Sequence, residues 1–492
     1  MTKKTKQIAS AVLTVTTFLS VTMLAEPLRA LEPPEAQAQR MFYRPNPEIT
    51  GHMWDVWLQV HEGKYCLYYL ASSKDCVKPA FDSTSLAVSE DGVSWTEHGR
   101  VVPMTEDAVI MGSAGVWRTR SGEFPSYVMN LTERRRKEAG SVMFALGSDD
   151  LIHWTNLGSQ YTFGPDPRWY EPKGRWVGIS VIPNPDGGYY GYWTASPKKE
   201  AGGLFGFGRS ADGVRWEQLP PPQTEGLARG GVREIGGAAV INDKVYLLYC
   251  AGQGRMTLFV GDRPEGPFRI QEENQEVLYG HTHFARFAGG TEDPLVVHHI
   301  MTTSGLDTPP ECYFAPIKRA IVDEEGVFRL VYWEGNERLK AKPVEVHVPK
   351  EAKRTDGRFV MLENRFDADR GFVLEGQFSN LKGGRFLARN QGLYVEWADG
   401  RGTALMVSPG WITQIGTMRE GGAEFRLDSF VNRRLPSGPN PKFRLMVRHS
   451  LLEFYLNDHL VQCHSMPGRA TGRVGYIHDG NPEGVRELKA WH

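Results

Sequence analysis

The chain has 492 residues, too many for a single hydrophobic core, and a formal net charge of −1. With 57 Lys and Arg against 58 Asp and Glu, it lacks the basic footprint of a nucleic-acid binder and has no pull toward acidic membranes. Aromatic residues at 11%, with 54 Gly and 31 Pro, are the mixture that many short strands and tight turns produce.

The N-terminus reads as a leader. Lys3, Lys4 and Lys6 precede an uncharged apolar stretch from Ile8 to Ala25, and small residues permit cleavage after Ala25, Ala30 or Ala38. Residues 1–38 are therefore expected to be a signal peptide and short tether, and the mature protein to be secreted or periplasmic. No second stretch is apolar enough to cross a membrane. An exported chain could oxidise Cys66 with Cys76, whereas Cys250, Cys312 and Cys463 read as isolated core residues without metal-site spacing.

A repeat organises the body of the chain. Ser89-Glu-Asp91-Gly-Val-Ser-Trp95, Ser148-Asp-Asp150-Leu-Ile-His-Trp154 and Ser210-Ala-Asp212-Gly-Val-Arg-Trp216 share one pattern at intervals of about 60 residues, with a degenerate copy at Gly261 to Phe268. Asp and Gly bend the chain and Trp plugs the space between sheets. Tyr-rich strands precede each copy: Tyr65 to Leu70, Tyr127 to Met129, Tyr189 to Trp193 and Val245 to Tyr249. Four strands in such a unit make one blade, and a fifth unit runs from His281 to Trp333, so a five-bladed β-propeller is predicted over 39–343. A Lys- and Pro-rich linker at 344–355 leads to alternating strands over 356–492, read as a jelly-roll-type β-sandwich. The fold class is all-β.

The first strand of every blade lines the hub, so equivalent repeat positions converge there. Counting back from the end of each Tyr-rich strand reaches Asp55, Ser113, Arg175 and Glu234, and in the fifth unit His281 and His283. Cleaving an acetal needs one carboxylate to attack or deprotonate water and a second, protonated, to supply the leaving oxygen. Asp55, on the strand His52-Met-Trp54-Asp55-Val-Trp57, is the candidate nucleophile or base, and Glu234 the candidate acid. Arg175 would bind a hydroxyl or hold a carboxylate ionised, and Trp54, Ser113, His281 and His283 would contact the sugar. The Asp91, Asp150 and Asp212 turns are expected to be structural.

The order of these segments resembles the five-bladed propeller glycosidases, the clan of glycoside hydrolase family 32 (invertases, levanases) and family 43 (arabinanases, xylosidases). Trp54-Asp55-Val56 followed by Gly63-Lys-Tyr-Cys-Leu-Tyr-Tyr69 stands where invertase relatives carry Asn-Asp-Pro and then Gly-Lys-Tyr-x-Leu-Phe-Tyr. Met111-Gly-Ser-Ala-Gly115 is similar to their Ser-Gly-Ser-Ala element. Arg175-Trp176-Val177 and Glu234-Ile235-Gly236 align with their Arg-Asp-Pro and Glu-Cys-Pro. No Asp follows Arg175, so the relatives' third carboxylate lacks a counterpart there; Asp166 and Glu171 lie upstream as substitutes. The resemblance implies a glycosidase with a carbohydrate substrate, no nucleic-acid partner, no organic cofactor and no catalytic metal, a structural calcium ion under a channel His being the one ion it allows. The other readings of the same residues are a non-catalytic carbohydrate-binding propeller and a glycoside phosphorylase.

Overall fold

The computed structural model describes residues 39–72, 81–136, 140–226, 234–252, 255–273, 276–280, 282–303, 311–349, 359–381, 391–398, 400–408, 412–419, 425–432 and 438–492. The expected leader, Cys76, His281 and positions 350–355 of the expected linker lie outside these residues, as does the side chain of His283.

The described residues form five antiparallel blades in chain order. The first contains His52–His61, Lys64–Ser72, Ser83–Ser89 and Thr96–Pro103, and the second Ala108–Arg118, Tyr127–Arg135, Ser141–Ser148 and Thr155–Asn156. The third contains Trp176–Pro183, Tyr189–Ala195, Gly206–Ser210 and Glu217–Leu219. Glu234–Ile241, Lys244–Cys250, Met256–Gly261 and Phe268–Ile270 build the fourth. Thr282–Phe287, Leu295–Met301, Lys318–Val322 and Phe328–Tyr332 build the fifth. Each innermost strand packs against the next, and that of the fifth blade returns to the first, where Gln59 and Gly289 form a parallel bridge.

The repeated turns are the packing units expected of them. Asp91 accepts from the N–H groups of Val93 and Ser94 at 2.8 and 2.6 Å, while Ser89 Oγ accepts from Gly92 at 2.9 Å. Asp150 and Asp212 repeat the arrangement with Ile152, His153, Val214 and Arg215. The Trp that follows each turn meets the preceding blade edge-on: Trp216 against Trp117, Trp154 against Tyr68, and Trp95 against Phe314 of the fifth blade. In the degenerate fourth copy Phe268 meets Tyr192 in the same way. A backbone acceptor completes the contact, as where Tyr192 donates to the Pro264 carbonyl at 2.8 Å.

Beyond the fifth blade the chain forms two packed sheets. Phe328–Tyr332 touches His459–Ser465 through a Val331–His459 pair, so the fifth blade continues into an eleven-stranded sheet. That sheet includes Leu451–Leu456, Lys442–Arg448, Phe372–Phe378, Val485–Trp491 and Pro343–Val344. The facing six-stranded sheet begins Phe359–Arg365, Arg473–Ile477, Gln391–Ala398. Alternate residues of both, among them Leu374, Leu393, Val395, Leu405, Leu445 and Phe454, fill the space between them.

Where propeller and sandwich meet, a polar cluster is shut off from solvent. Lys318 Nζ pairs with Glu453 Oε1 and donates to His298 Nε2 at 2.7 Å and to the Pro316 carbonyl at 2.6 Å. Tyr455 donates to the other Glu453 oxygen at 2.5 Å. Burial, and then the Lys318 charge, hold His298 well below the usual imidazole range, so it is a neutral acceptor. The N-terminal segment adds a clasp. Gln39 exchanges backbone bonds with Trp95 of the first blade, the Tyr43 carbonyl accepts from Phe314 of the fifth at 2.7 Å, and Arg448 of the sandwich donates to the carbonyls of Arg40, Met41 and Phe42.

Candidate active site at the propeller hub

The innermost strand of each blade carries a β-bulge at a matching position, that of the second blade having a further register shift between Ala108 and Ile110, and the matching bulges define the true five-fold register. They fall between Trp54 and Val56, Gly112 and Ala114, Val177 and Ile179, Ile235 and Gly237, and within His283 to Arg286. A bulge leaves one residue unpaired and re-aims its side chain. The bulged residues are Asp55, Ser113, Gly178 and Gly236, with Phe284 in the last blade. Asp55, Gly178 and Phe284 have φ of 38°, 55° and 46°, a region that only glycine occupies freely.

The bulges correct the register counted from the Tyr-rich strands. Ser113 does occupy the position of Asp55, but Gly178 and Gly236 hold it in the third and fourth blades, not Arg175 and Glu234. The count fails because it runs through turns of unequal length and across a bulge that adds a residue. Arg175 precedes its strand, and Glu234 opens its own, two residues ahead of the bulge.

The bulges converge closely. A Cβ on Gly178 would lie 2.8 Å from Ser113 Oγ, and one on Gly236 would lie 2.2 Å from the Ala285 carbonyl oxygen. Arg286 ties the rest together. Its Nη2 and Nε donate to the two Asp55 oxygens at 2.8 and 3.3 Å, and Nη1 donates to the Gly236 carbonyl at 3.1 Å. Asp55 is 2% exposed and Arg286 4%. Two such bonds to one guanidinium fix the carboxylate in a single orientation.

Glu234 is engaged as well. Arg175 Nη2 pairs with its Oε1, with side-chain exposures of 19% for Glu234 and 50% for Arg175. The Arg175 N–H donates to Ser196 at 2.9 Å, and the Ile235 N–H to Thr194 at 2.9 Å, which anchors both strand starts to the third blade. Trp54 stacks on Phe81 with ring centroids 6.2 Å apart and tilts against His299 at 4.8 Å. Asp166 is taken up elsewhere: Arg168 clamps both its oxygens, and this side-chain pairing first of all holds its carboxyl below the ordinary range. Glu171 is exposed in the same loop.

Spacing along the chain does not single out Arg286. The signal that could have found it is a lone Arg inside the apolar strand Phe284-Ala-Arg-Phe287, since a charge so placed must find a partner.

The expected structural calcium finds no matching donor set among the described residues. The one grouping of potential ligands there, His298, Glu453 and Cys463, has the Lys318 ammonium bonded to its His and Glu. Calcium takes six to eight oxygen ligands, which this grouping does not supply.

The fold and hub together define a five-bladed β-propeller with an appended β-sandwich, its polar centre at the converging bulges. No protein-family model and no curated protein matches the sequence. Solved structures do. A sucrose-6-phosphate hydrolase from Lactobacillus gasseri is 13% identical, with 94% of each chain covered and a TM-score of 0.69. A Bombyx mori GH32 beta-fructofuranosidase is 15% identical over 93% of each chain, with a TM-score of 0.68. Fructan 1-exohydrolase IIa from Cichorium intybus is 12% identical over 92% of this chain and 96% of that one, with a TM-score of 0.66. The chain therefore has the fold of the GH32 fructofuranosidases along nearly all its length.

Proposed function

We propose that the protein is a glycoside hydrolase acting on a furanoside, with fructosides the first class to test. The observation that carries the reading is Asp55, a carboxylate clamped by Arg286 at the bulge of the first innermost strand in a fold shared with fructofuranosidases. Asp55 would attack the anomeric carbon or activate water, with Arg286 holding it in place. Glu234 would protonate the leaving oxygen, and for that Arg175 must release it, because a paired guanidinium favours the carboxylate over the acid. Trp54 would offer an apolar face to the sugar ring. The reading includes export, on the strength of the N-terminal sequence.

A second reading has a specific observation in its favour. Both carboxylates are ion-paired and Asp55 is closed to solvent, which suits a propeller that binds carbohydrate without cleaving it. Purified protein assayed against sucrose, inulin, levan and aryl arabinofuranosides separates the two. Hydrolysis requires turnover that falls at least about a thousandfold in Asp55→Asn and Glu234→Gln. Saturable sugar binding that survives both substitutions, with no turnover by the parent protein, decides for the binding role.

A further inference from the structure

A cavity lies at the other mouth of the hub. It has a volume of about 1120 Å³ and is lined by the C-terminal halves of the innermost strands of the first three blades and by Arg286 to Gly290 of the fifth. Asp55 and Glu234 stand toward the opposite, N-terminal ends of those strands.

Its lining is cationic. Arg118 and Arg120 are exposed at the rim, and neither pairs with a carboxylate among the described residues; Arg120 lies 5.5 Å over the ring of Tyr189. Arg286 reaches the cavity from the hub with three of its five N–H groups in use, toward Asp55 and Gly236. The sole carboxylate among the described lining residues is Glu62, turned to solvent beside His61.

The lining also holds polar atoms in need of a partner. Gln59 is 2% exposed; its Nε2 donates to the Val60 carbonyl, and its Oε1 has no protein partner. Trp57 is 3% exposed and its indole N–H is likewise unpartnered. Both atoms are closed to solvent, and polar atoms so placed call for a buried water.

We propose that this far mouth is a second ligand site, for a sugar carrying a carboxylate or a phosphate. The arginines supply the charge match. The volume exceeds what a bare phosphate fills and leaves room for a sugar ring. The site does not depend on the reaction at the opposite mouth, because Arg118 and Arg120 take no part in it; Arg286 alone lies between the two.

Titration calorimetry on the full chain tests it with three probes: glucuronate, glucose 6-phosphate and neutral glucose. The expected result is saturable binding of at least one acidic sugar, at one per chain and at least tenfold tighter than glucose. Its Kd should rise at least tenfold in Arg118→Ala/Arg120→Ala at unchanged unfolding temperature. The two acidic probes separate a carboxylate from a phosphate ligand. Acidic sugars that bind no better than glucose, or a double variant that binds them as the parent does, overturn the proposal.

Discussion

Arg286 and Asp55 form an ion pair across the hub, linking the fifth blade to the first with both side chains almost wholly buried. Removing one partner leaves a buried charge without compensation. Arg286→Met should therefore cost about 3–5 kcal/mol of unfolding free energy. Asp55→Leu combined with Arg286→Met should recover a large part of it, read as a double-mutant cycle in urea.

The Lys318–Glu453 pair joins propeller to sandwich, and its loss should separate them. Lys318→Met should lower stability by about 3–5 kcal/mol. It should also split a single cooperative unfolding transition into two, followed by Trp fluorescence against far-ultraviolet circular dichroism. Lys318→Met with Glu453→Leu should restore most of the cooperativity.

The Asp-containing turns make the propeller acid-sensitive. Burial alone would raise the Asp91 carboxyl, but the N–H groups of Ser94 and Val93 and the Ser89 hydroxyl outweigh it, and the net shift is downward. Asp212 follows the same balance, with Arg215 and Val214 as donors. A carboxyl depressed in the folded state contributes its full stability above its unfolded value, about 3.9, and loses it as pH falls through the folded one. Asp91→Asn should thus be less stable than the parent by about 1 kcal/mol at neutral pH. The gap should narrow below about pH 4, which urea titrations across that range would reveal.

Gly236 has no room for a methyl group. The atom it would strike, the Ala285 carbonyl oxygen, belongs to the neighbouring inner strand and cannot swing aside. Gly236→Ala should cost at least about 1–3 kcal/mol in thermal or urea unfolding, whereas Gly63→Ala, in open space at φ 78°, should show only backbone strain.

The propeller is legible in the sequence because its signal is local and repeated. Ser89, Asp91 and Trp95 sit in one short window, and the turn they form is the same at Ser148 and Ser210. Counting reaches Asp55 and Ser113 together only because the longer connection at 119–126 is offset by Tyr127 opening its strand, whereas Tyr69 lies near the end of its own. It misses Gly178 and Gly236, since a bulge leaves no mark in spacing and glycine carries no chemistry to attract notice. The partners of Asp55 and Glu234 come from distant chain segments, Arg286 and Arg175, and pairing of that kind depends on how blades close into a ring. No count along the sequence contains it.

The clasp made by Gln39 to Tyr43 bears on maturation. Five residues grip the first blade, the last blade and the sandwich at once, so they act as the latch of a ring whose two end blades share no strand. Any protease that trims the amino terminus must therefore stop at Ala38 or earlier. A cut a few residues further would leave the ring to be held by the Gln59–Gly289 bridge, the Arg286–Asp55 pair and side-chain packing.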